Sequence, residues 1–263
     1  MCFTRTPERQ DRSDWQPLVH LEKVARLVTS GFQAIQKIAI EQVEAAQLPG
    51  PGNGGMAIGA DVINKVPAYG LVHNWLGSET VARLLQFAQS NENSFEDTRV
   101  GGEAEGRIDP TRRVSRKLLN ICELKSELCP KLEDLLPVIF DKIGIKPFIP
   151  SQIELELVAH GDGAFFARHD DTHTGLDQKG RGSRAISAVY YFHALPKAFS
   201  GGVLRLHTLA ASGQEGTFAD ISPDRDTLVF FPSFFPHEVL PVKCTSEQFL
   251  DSRFAINLWV HKK

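Results

Sequence analysis

The sequence predicts an α+β protein with a mainly β core, in which helical segments come first and an antiparallel sandwich or barrel follows. Three observations carry this expectation. After Pro150 the chain divides into short alternating or apolar runs, among them IELELVAH, AISAVYYF, GGVLRLHT, DTLVFFP and FAINLWVH. Turn-forming residues separate these runs: Gly161-Asp162-Gly163, Gly180 to Ser183, Ser200-Gly201-Gly202 and Ser222-Pro223-Asp224. Before Pro150, apolar residues recur at helical spacing instead. Short strands joined by turns point to an antiparallel sandwich or a closed barrel.

The elements follow in order. Residues 15–47 read as a helix, because Leu18, Leu21, Ala25, Val28, Phe32 and Ile35 form one apolar stripe at steps of three and four. Ser13 or Asp14 suits its cap and Pro17 its first turn. The stripe packs either on the domain behind it or on a partner chain. Residues 48–55, LPGPGNGG, break the pattern and read as a linker. The chain thus divides into an N-terminal helical extension with its linker, 1–55, and a main domain, 56–263. In the latter, VPAYGLVHNWLG reads as a strand and turn, and SETVARLLQFAQ as a helix capped by Ser78. Residues 91–114 are polar, carry Gly101, Gly102 and Gly106, and read as a long loop or mobile hairpin. Helical spacing returns from about Ser115 to Phe140, with breaks at Pro130 and Pro137.

The 263 residues, 42% hydrophobic and 23% charged, suit a soluble globular protein of one large or two small domains. A net charge of −3 leaves no electrostatic footprint for nucleic acid or an anionic membrane. The first residues lack the apolar region of a secretory signal, and no apolar run reaches spanning length. A cytoplasmic location is expected. Cys2, Cys122, Cys129 and Cys244 show no C-x-x-C pairing and read as buried or free thiols.

The chemistry is concentrated in FFARHDDTH, residues 165–173. In an extended chain, side chains i and i+2 share a face. His169 and Asp171 then point one way and Asp170 the other, and His173 follows Asp171 only if the strand does not turn first. An H-x-D triplet reads equally as a solvated turn, so a second histidine is needed. His237 follows DTLVFF and a Pro-Ser-Phe-Phe-Pro turn and precedes EVLPV. It is either a third ligand or a satisfied interior histidine. Two histidines and one carboxylate on one face leave open octahedral positions, the arrangement of non-haem Fe(II) oxygenases. Such sites usually need 2-oxoglutarate, whose distal carboxylate requires a cation, and the planar fork of arginine suits it. Arg253 opens the last strand, SRFAINLWV, and its alternative is a surface ion pair.

Further motifs stand in order along residues 150–260: RAISAVYYF at 184–192, GGVLRL at 201–206, ADISP at 219–223, LVFFP at 228–232, HEVLPV at 237–242 and RFAINLW at 253–259. Together with HDD at 169–171, this segment resembles the prolyl 4-hydroxylase-like branch of the Fe(II)/2-oxoglutarate-dependent dioxygenases, in particular the oxygen-sensing prolyl hydroxylases and their bacterial relatives. The likeness weakens before residue 150 and does not cover residues 1–55. It implies a double-stranded β-helix (jelly roll) with supporting helices. It also implies His169, Asp171 and His237 as iron ligands and Arg253 as the anchor of the distal carboxylate. Tyr191 would bond that carboxylate and Trp259 would line the pocket, although both also suit plain core packing. Two departures stand out. The place of a family tyrosine is taken by His160, a cosubstrate-binding candidate that makes either a similar contact or none, and KCTSEQFLDS lengthens the gap between His237 and Arg253.

The implied cofactors are Fe(II) and 2-oxoglutarate as cosubstrate, with ascorbate as an optional addition. The implied chemistry couples decarboxylation of 2-oxoglutarate, giving succinate and CO2, to hydroxylation of an unactivated C–H bond. Related halogenases replace the carboxylate at position 171 with a small residue, so hydroxylation is expected here. The substrate is a protein or peptidyl proline or, alternatively, a free amino acid or small natural product. A reading of another class is a cupin-like metal-binding or sensory module without turnover, against which Arg253 argues. No nucleic-acid or membrane partner is expected, and the oligomeric state stays open. Arg107, Arg112, Arg113 and Arg116 suit either a solvated basic loop or recognition of an acidic group. Arg205 either reaches the pocket or pairs on the surface.

Overall fold

The computed structural model describes residues 68–100, 106–118, 121–172, 183–209 and 216–263. The helix expected at 15–47, the linker, the boundary at residue 55, Gly101, Gly102 and His173 lie outside them.

The first half is short. Strand β1, Gly70–His73, leads into helix α1, Ser78–Ser90. Ser78 is not the cap expected from the sequence. Gly77 holds that position with φ 80°, and the carboxylate of distant Asp226 accepts the N–H groups of Leu76 and Gly77 at 2.9 Å each. These two N–H groups precede the first turn, which has no side-chain cap of its own, and a carboxylate near the positive end of a helix is favourable. The segment expected as a loop or hairpin contains a 3-10 turn at Glu92–Ser94 and strand β2, Glu96–Asp97, with Val100 bridging to Arg107. Strands β3, Arg113–Val114, and β4, Arg116–Leu118, follow.

The next helix departs from expectation. It does not start at Ser115, which is extended backbone between β3 and β4, and it does not break at its prolines. Helix α2 runs unbroken over Cys122–Ile143 with Pro130 and Pro137 inside. Leu124, Leu128, Leu132, Leu135, Leu136, Ile139, Phe140 and Ile143 form its buried stripe. Each buried side chain of this size contributes about 1.5–3 kcal/mol, against roughly 3 kcal/mol for an interior proline. Both prolines are exposed, so the carbonyls they leave unbonded face water.

The remaining strands are β5 (Gln152–His160), β6 (Phe165–His169), β7 (Arg184–Phe192), β8 (Ser200–Gly201), β9 (Leu204–His207), β10 (Phe218–Ile221), β11 (Thr227–Pro232), β12 (His237–Val239), β13 (Val242–Lys243) and β14 (Arg253–His261). They form a seven-stranded sheet in the order β1-β11-β7-β14-β5-β4-β2 and a five-stranded sheet in the order β10-β9-β12-β6-β3. All pairings are antiparallel. Strands β7, β11 and β14 are almost wholly buried, which is why they read as near-continuous apolar runs. Tyr191, Leu204, Leu206, Ile221, Val229, Phe231 and Ala255 come from both sheets and pack together between them. This is the double-stranded β-helix, and its open end between the sheets holds the site.

Candidate metal centre and cosubstrate cavity

His169 ends β6 and His237 begins β12, and the two are direct partners across that ladder. Their rings are 4.2 Å apart. Each Nδ1 lies 2.9 Å from the carbonyl oxygen two residues earlier, Ala167 for His169 and Phe235 for His237. A carbonyl only accepts, so Nδ1 carries the proton and Nε2 keeps its lone pair. The strand stops at His169, short of the extended 169–171 expected from the sequence. Asp170 is exposed. Asp171 is held instead by its own N–H, which donates to the Ser233 carbonyl at 3.0 Å.

The carboxylate of Asp171 faces both free nitrogens, with Oδ1 3.9 Å from His169 Nε2 and Oδ2 3.5 Å from His237 Nε2. The three donor atoms lie within 4.8 Å of one another, a set with the composition to hold one metal ion. Burial, followed by the nearby His237, pushes His169 down to about 3. Burial pushes the Asp171 carboxyl up, but the two imidazoles and the Ser187 hydroxyl outweigh it and hold the group below its usual range. Both states leave lone pairs available to a cation.

The same cavity extends to a second cluster. Its walls include Arg113, His160, Phe166, Tyr191, Asn257 and Trp259 beside the triad and Arg253. Arg253 begins β14 opposite His160, the last residue of β5. It is 1% exposed. Its Nε donates to the Gly202 carbonyl at 2.8 Å and its Nη1 lies 3.1 Å from His160 Nδ1. Arginine has only donors, so His160 Nδ1 accepts and its proton sits on Nε2. Burial, together with the Arg253 charge, pushes His160 well below its ordinary value, so it is neutral.

Among the described residues no carboxylate pairs with Arg253. A buried cation without a counter-ion is costly. Tyr191, whose ring lies 4.8 Å from the guanidinium, has a buried Oη with no well-formed hydrogen bond among the described residues, although it stands close enough to Arg253 for the guanidinium to oppose the effect of burial on the phenol. Burial pushes that phenol up to about 12, so it is a donor at neutral pH. A buried cation without a carboxylate and a hydroxyl beside it, in one cavity, fit the carboxylate end of a ligand.

The close approach of β14 depends on Gly202. At φ 65° a side chain would be strained, and an added Cβ would lie 2.5 Å from Arg253 Cδ. Of the double glycine in the sequence, Gly202 thus serves the arginine, while a side chain at Gly201 would meet the main chain of Pro241 instead. Of the cationic residues considered from sequence, Arg113 enters the cavity wall. It lies over the Phe166 ring at 4.6 Å and donates to Glu156 at 2.6 Å, while Phe166 stacks on His169 at 3.5 Å. Arg107 and Arg112 are exposed, and Arg116 bonds the carbonyls of Glu92 and Phe95. Arg205 does not reach the cavity. It pairs with Asp220 through two bonds of 2.7 and 2.8 Å and covers Phe218 on the outer surface. Sequence reasoning missed Ser187, Ser233, Phe166 and Asn257. For Ser187 and Asn257 the only signal was alternation, which puts them on the same face of their strands as Tyr191 and Arg253.

Fold and cavity together are a jelly roll with a candidate metal site beside a buried arginine. In comparison with known proteins, residues 155–261 match the model of the 2OG-Fe(II) oxygenase superfamily. An uncharacterized PKHD-type hydroxylase of Synechocystis is 32% identical over 199 residues, which is 74% of this chain and 63% of that protein. The chain therefore spans somewhat under two thirds of that relative's length. Among solved structures, a Pseudomonas putida prolyl-4-hydroxylase superposes with a TM-score of 0.53 at 20% identity, over 75% of this chain and 94% of that one. A Trichoplax adhaerens prolyl hydroxylase, solved with a hypoxia inducible factor oxygen degradation domain peptide, gives 0.55 at 20% identity, over 74% and 84%. At that identity the likeness is one of fold. No helix among the described residues is long and apolar enough to cross a membrane.

Proposed function

We propose that the protein is an Fe(II)- and 2-oxoglutarate-dependent dioxygenase that hydroxylates an unactivated C–H bond, a prolyl residue of a peptide being the favoured substrate. His169, Asp171 and His237 are the iron ligands in this reading. The observation that carries it is the buried Arg253, without a carboxylate partner, in the same cavity as a two-histidine, one-aspartate cluster. A module that only bound metal would have no use for such a cation.

Bound iron and cosubstrate supply the oxidising chemistry, with 2-oxoglutarate converted to succinate and CO2. The chain's own residues do the rest. Arg253 receives the distal carboxylate, its fork held in orientation by the Gly202 carbonyl and by neutral His160. Tyr191 Oη donates to the same carboxylate. Each Nδ1–H bond to a main-chain carbonyl keeps the imidazole Nε2 free for metal. Asn257 and Trp259 close the wall from β14. The peptidyl substrate is supported by the fold shared with the two prolyl hydroxylases.

Anaerobic titration of the Fe(II)-loaded protein with 2-oxoglutarate tests the reading through the weak visible charge-transfer band of chelated cosubstrate. A band that saturates in the wild type and weakens in Asp171→Ala and Arg253→Ala is the expected result. Iron bound with no band would overturn it.

A further inference from the structure

Asp171 lies beyond the end of its strand, so the β-ladder does not fix its side chain. Another element does. Ser187, 1% exposed and in the middle of β7, places its Oγ 2.6 Å from Asp171 Oδ2. A carboxylate only accepts, so the single Ser187 proton goes to it. Ser187 Oγ also lies 2.9 Å from the Oγ of Ser233, which is fully buried. With the Ser187 proton already committed, the Ser233 hydroxyl supplies the proton of that second bond. The carbonyl of the same Ser233 accepts the Asp171 backbone N–H at 3.0 Å. Ser233 thus holds Asp171 twice, once through the main chain and once through Ser187. Trp259, the cross-strand neighbour of Ser187 on β14, adds its indole to the groups that favour the ionised carboxylate.

We propose that Ser187, backed by Ser233, is a positioning residue that occupies one oxygen of Asp171 and so presents the other to the metal as a single-oxygen ligand. A carboxylate free to rotate at the end of a strand would be able to turn away or to close on the metal with both oxygens, covering a position that cosubstrate or oxygen needs. The serine pair removes both options. The inference rests on the iron reading above.

The test compares the full-length wild type with Ser187→Ala, Ser187→Thr and Ser233→Ala. The readouts are Fe(II) dissociation constants, the position of the anaerobic 2-oxoglutarate charge-transfer band, and the visible absorption of the Co(II)-substituted protein, whose intensity reports coordination number. Ser187→Ala is expected to weaken Fe(II) binding by about tenfold or more, as for other residues that orient metal ligands, and to change the cobalt spectrum. Ser187→Thr keeps the hydroxyl and is expected to restore both. Ser233→Ala, which leaves the direct bond in place, is expected to fall between and gives the answer should Ser187→Ala not fold. Fe(II) affinity within twofold of wild type in Ser187→Ala and Ser233→Ala, with unchanged spectra, would overturn the serine proposal while the wild-type band left the iron reading standing. A wild type that binds no Fe(II) would overturn both.

Discussion

Gly202 and Arg253 are in contact, and the contact has two parts: the glycine carbonyl accepts the arginine Nε–H at 2.8 Å, and the missing glycine side chain leaves the space that the arginine Cδ occupies. Gly144, which ends α2, has nearly the same φ, 66° against 65°, but nothing within 4 Å of an added Cβ. The two positions therefore separate backbone strain from collision.

Alanine at position 144 should cost only the left-handed backbone, about 1–2 kcal/mol, and leave 2-oxoglutarate binding unchanged. Alanine at 202 adds a clash, which typically costs a further 1–3 kcal/mol or so, and displaces the arginine. Thermal unfolding and calorimetric 2-oxoglutarate titration of the iron-loaded proteins would show the split. Equal losses of affinity in both variants would refute the link between Gly202 and the cavity.

Arg253→Lys should retain charge yet weaken 2-oxoglutarate binding about tenfold to a hundredfold, since charge-assisted bonds are worth roughly 1.5–3 kcal/mol each and lysine lacks the fork. Tyr191→Phe should also weaken it, about tenfold. In the absence of cosubstrate it should change the melting temperature little, because the hydroxyl it removes makes only a loose contact with Arg253. A large loss of stability in Tyr191→Phe would show that the hydroxyl is structural.

His160 gives a pH prediction. Its folded pKa lies well below the ordinary 6.5, so below pH 6.5 the unfolded chain takes up a proton that the folded chain refuses. Stability then falls as pH falls from 6.5 toward the folded value, by up to about 1.4 kcal/mol per pH unit from this group. Above pH 6.5 the group is neutral in both states and contributes no slope. His160→Gln keeps an acceptor for Arg253 and removes the titration, so denaturant unfolding between pH 6.5 and 5 should show a shallower slope than wild type. Parallel curves would contradict the assignment.

Pro130→Ala and Pro137→Ala should each raise the stability of the protein. Both prolines are exposed inside an intact helix. Alanine restores a main-chain bond worth part of the roughly 3 kcal/mol proline cost, offset by about 1 kcal/mol of unfolded-chain entropy. A lower melting temperature in either variant would mean that the proline ring itself packs.

The reading of the helical region failed at particular residues for a physical reason. Pro130 and Pro137 are strong local signals, but eight buried apolar residues on the opposite side of α2 outweigh them. Ser78 looked like a cap because capping is usually local, whereas the chain enters α1 at Gly77, held from a distance by Asp226 just before β11. Arg205 was open between pocket and surface because β9 alternates, and only its pairing with β10 puts Asp220 opposite it.

The sequence by itself determined the long strands after Pro150, which of their residues share a face, and that two histidines, an aspartate and an arginine stand at or near the ends of those strands. Period-two alternation encodes these things locally, and the order of motifs from HDD to RFAINLW carries the likeness to a family. The tertiary structure alone decided that His169 faces His237, that Ser187 holds Asp171, and that Gly202 makes room for Arg253. These are contacts between strands far apart in the chain. Local pattern fixes the face on which a side chain stands, but only the pairing and closure of the two sheets fixes which faces meet across one cavity.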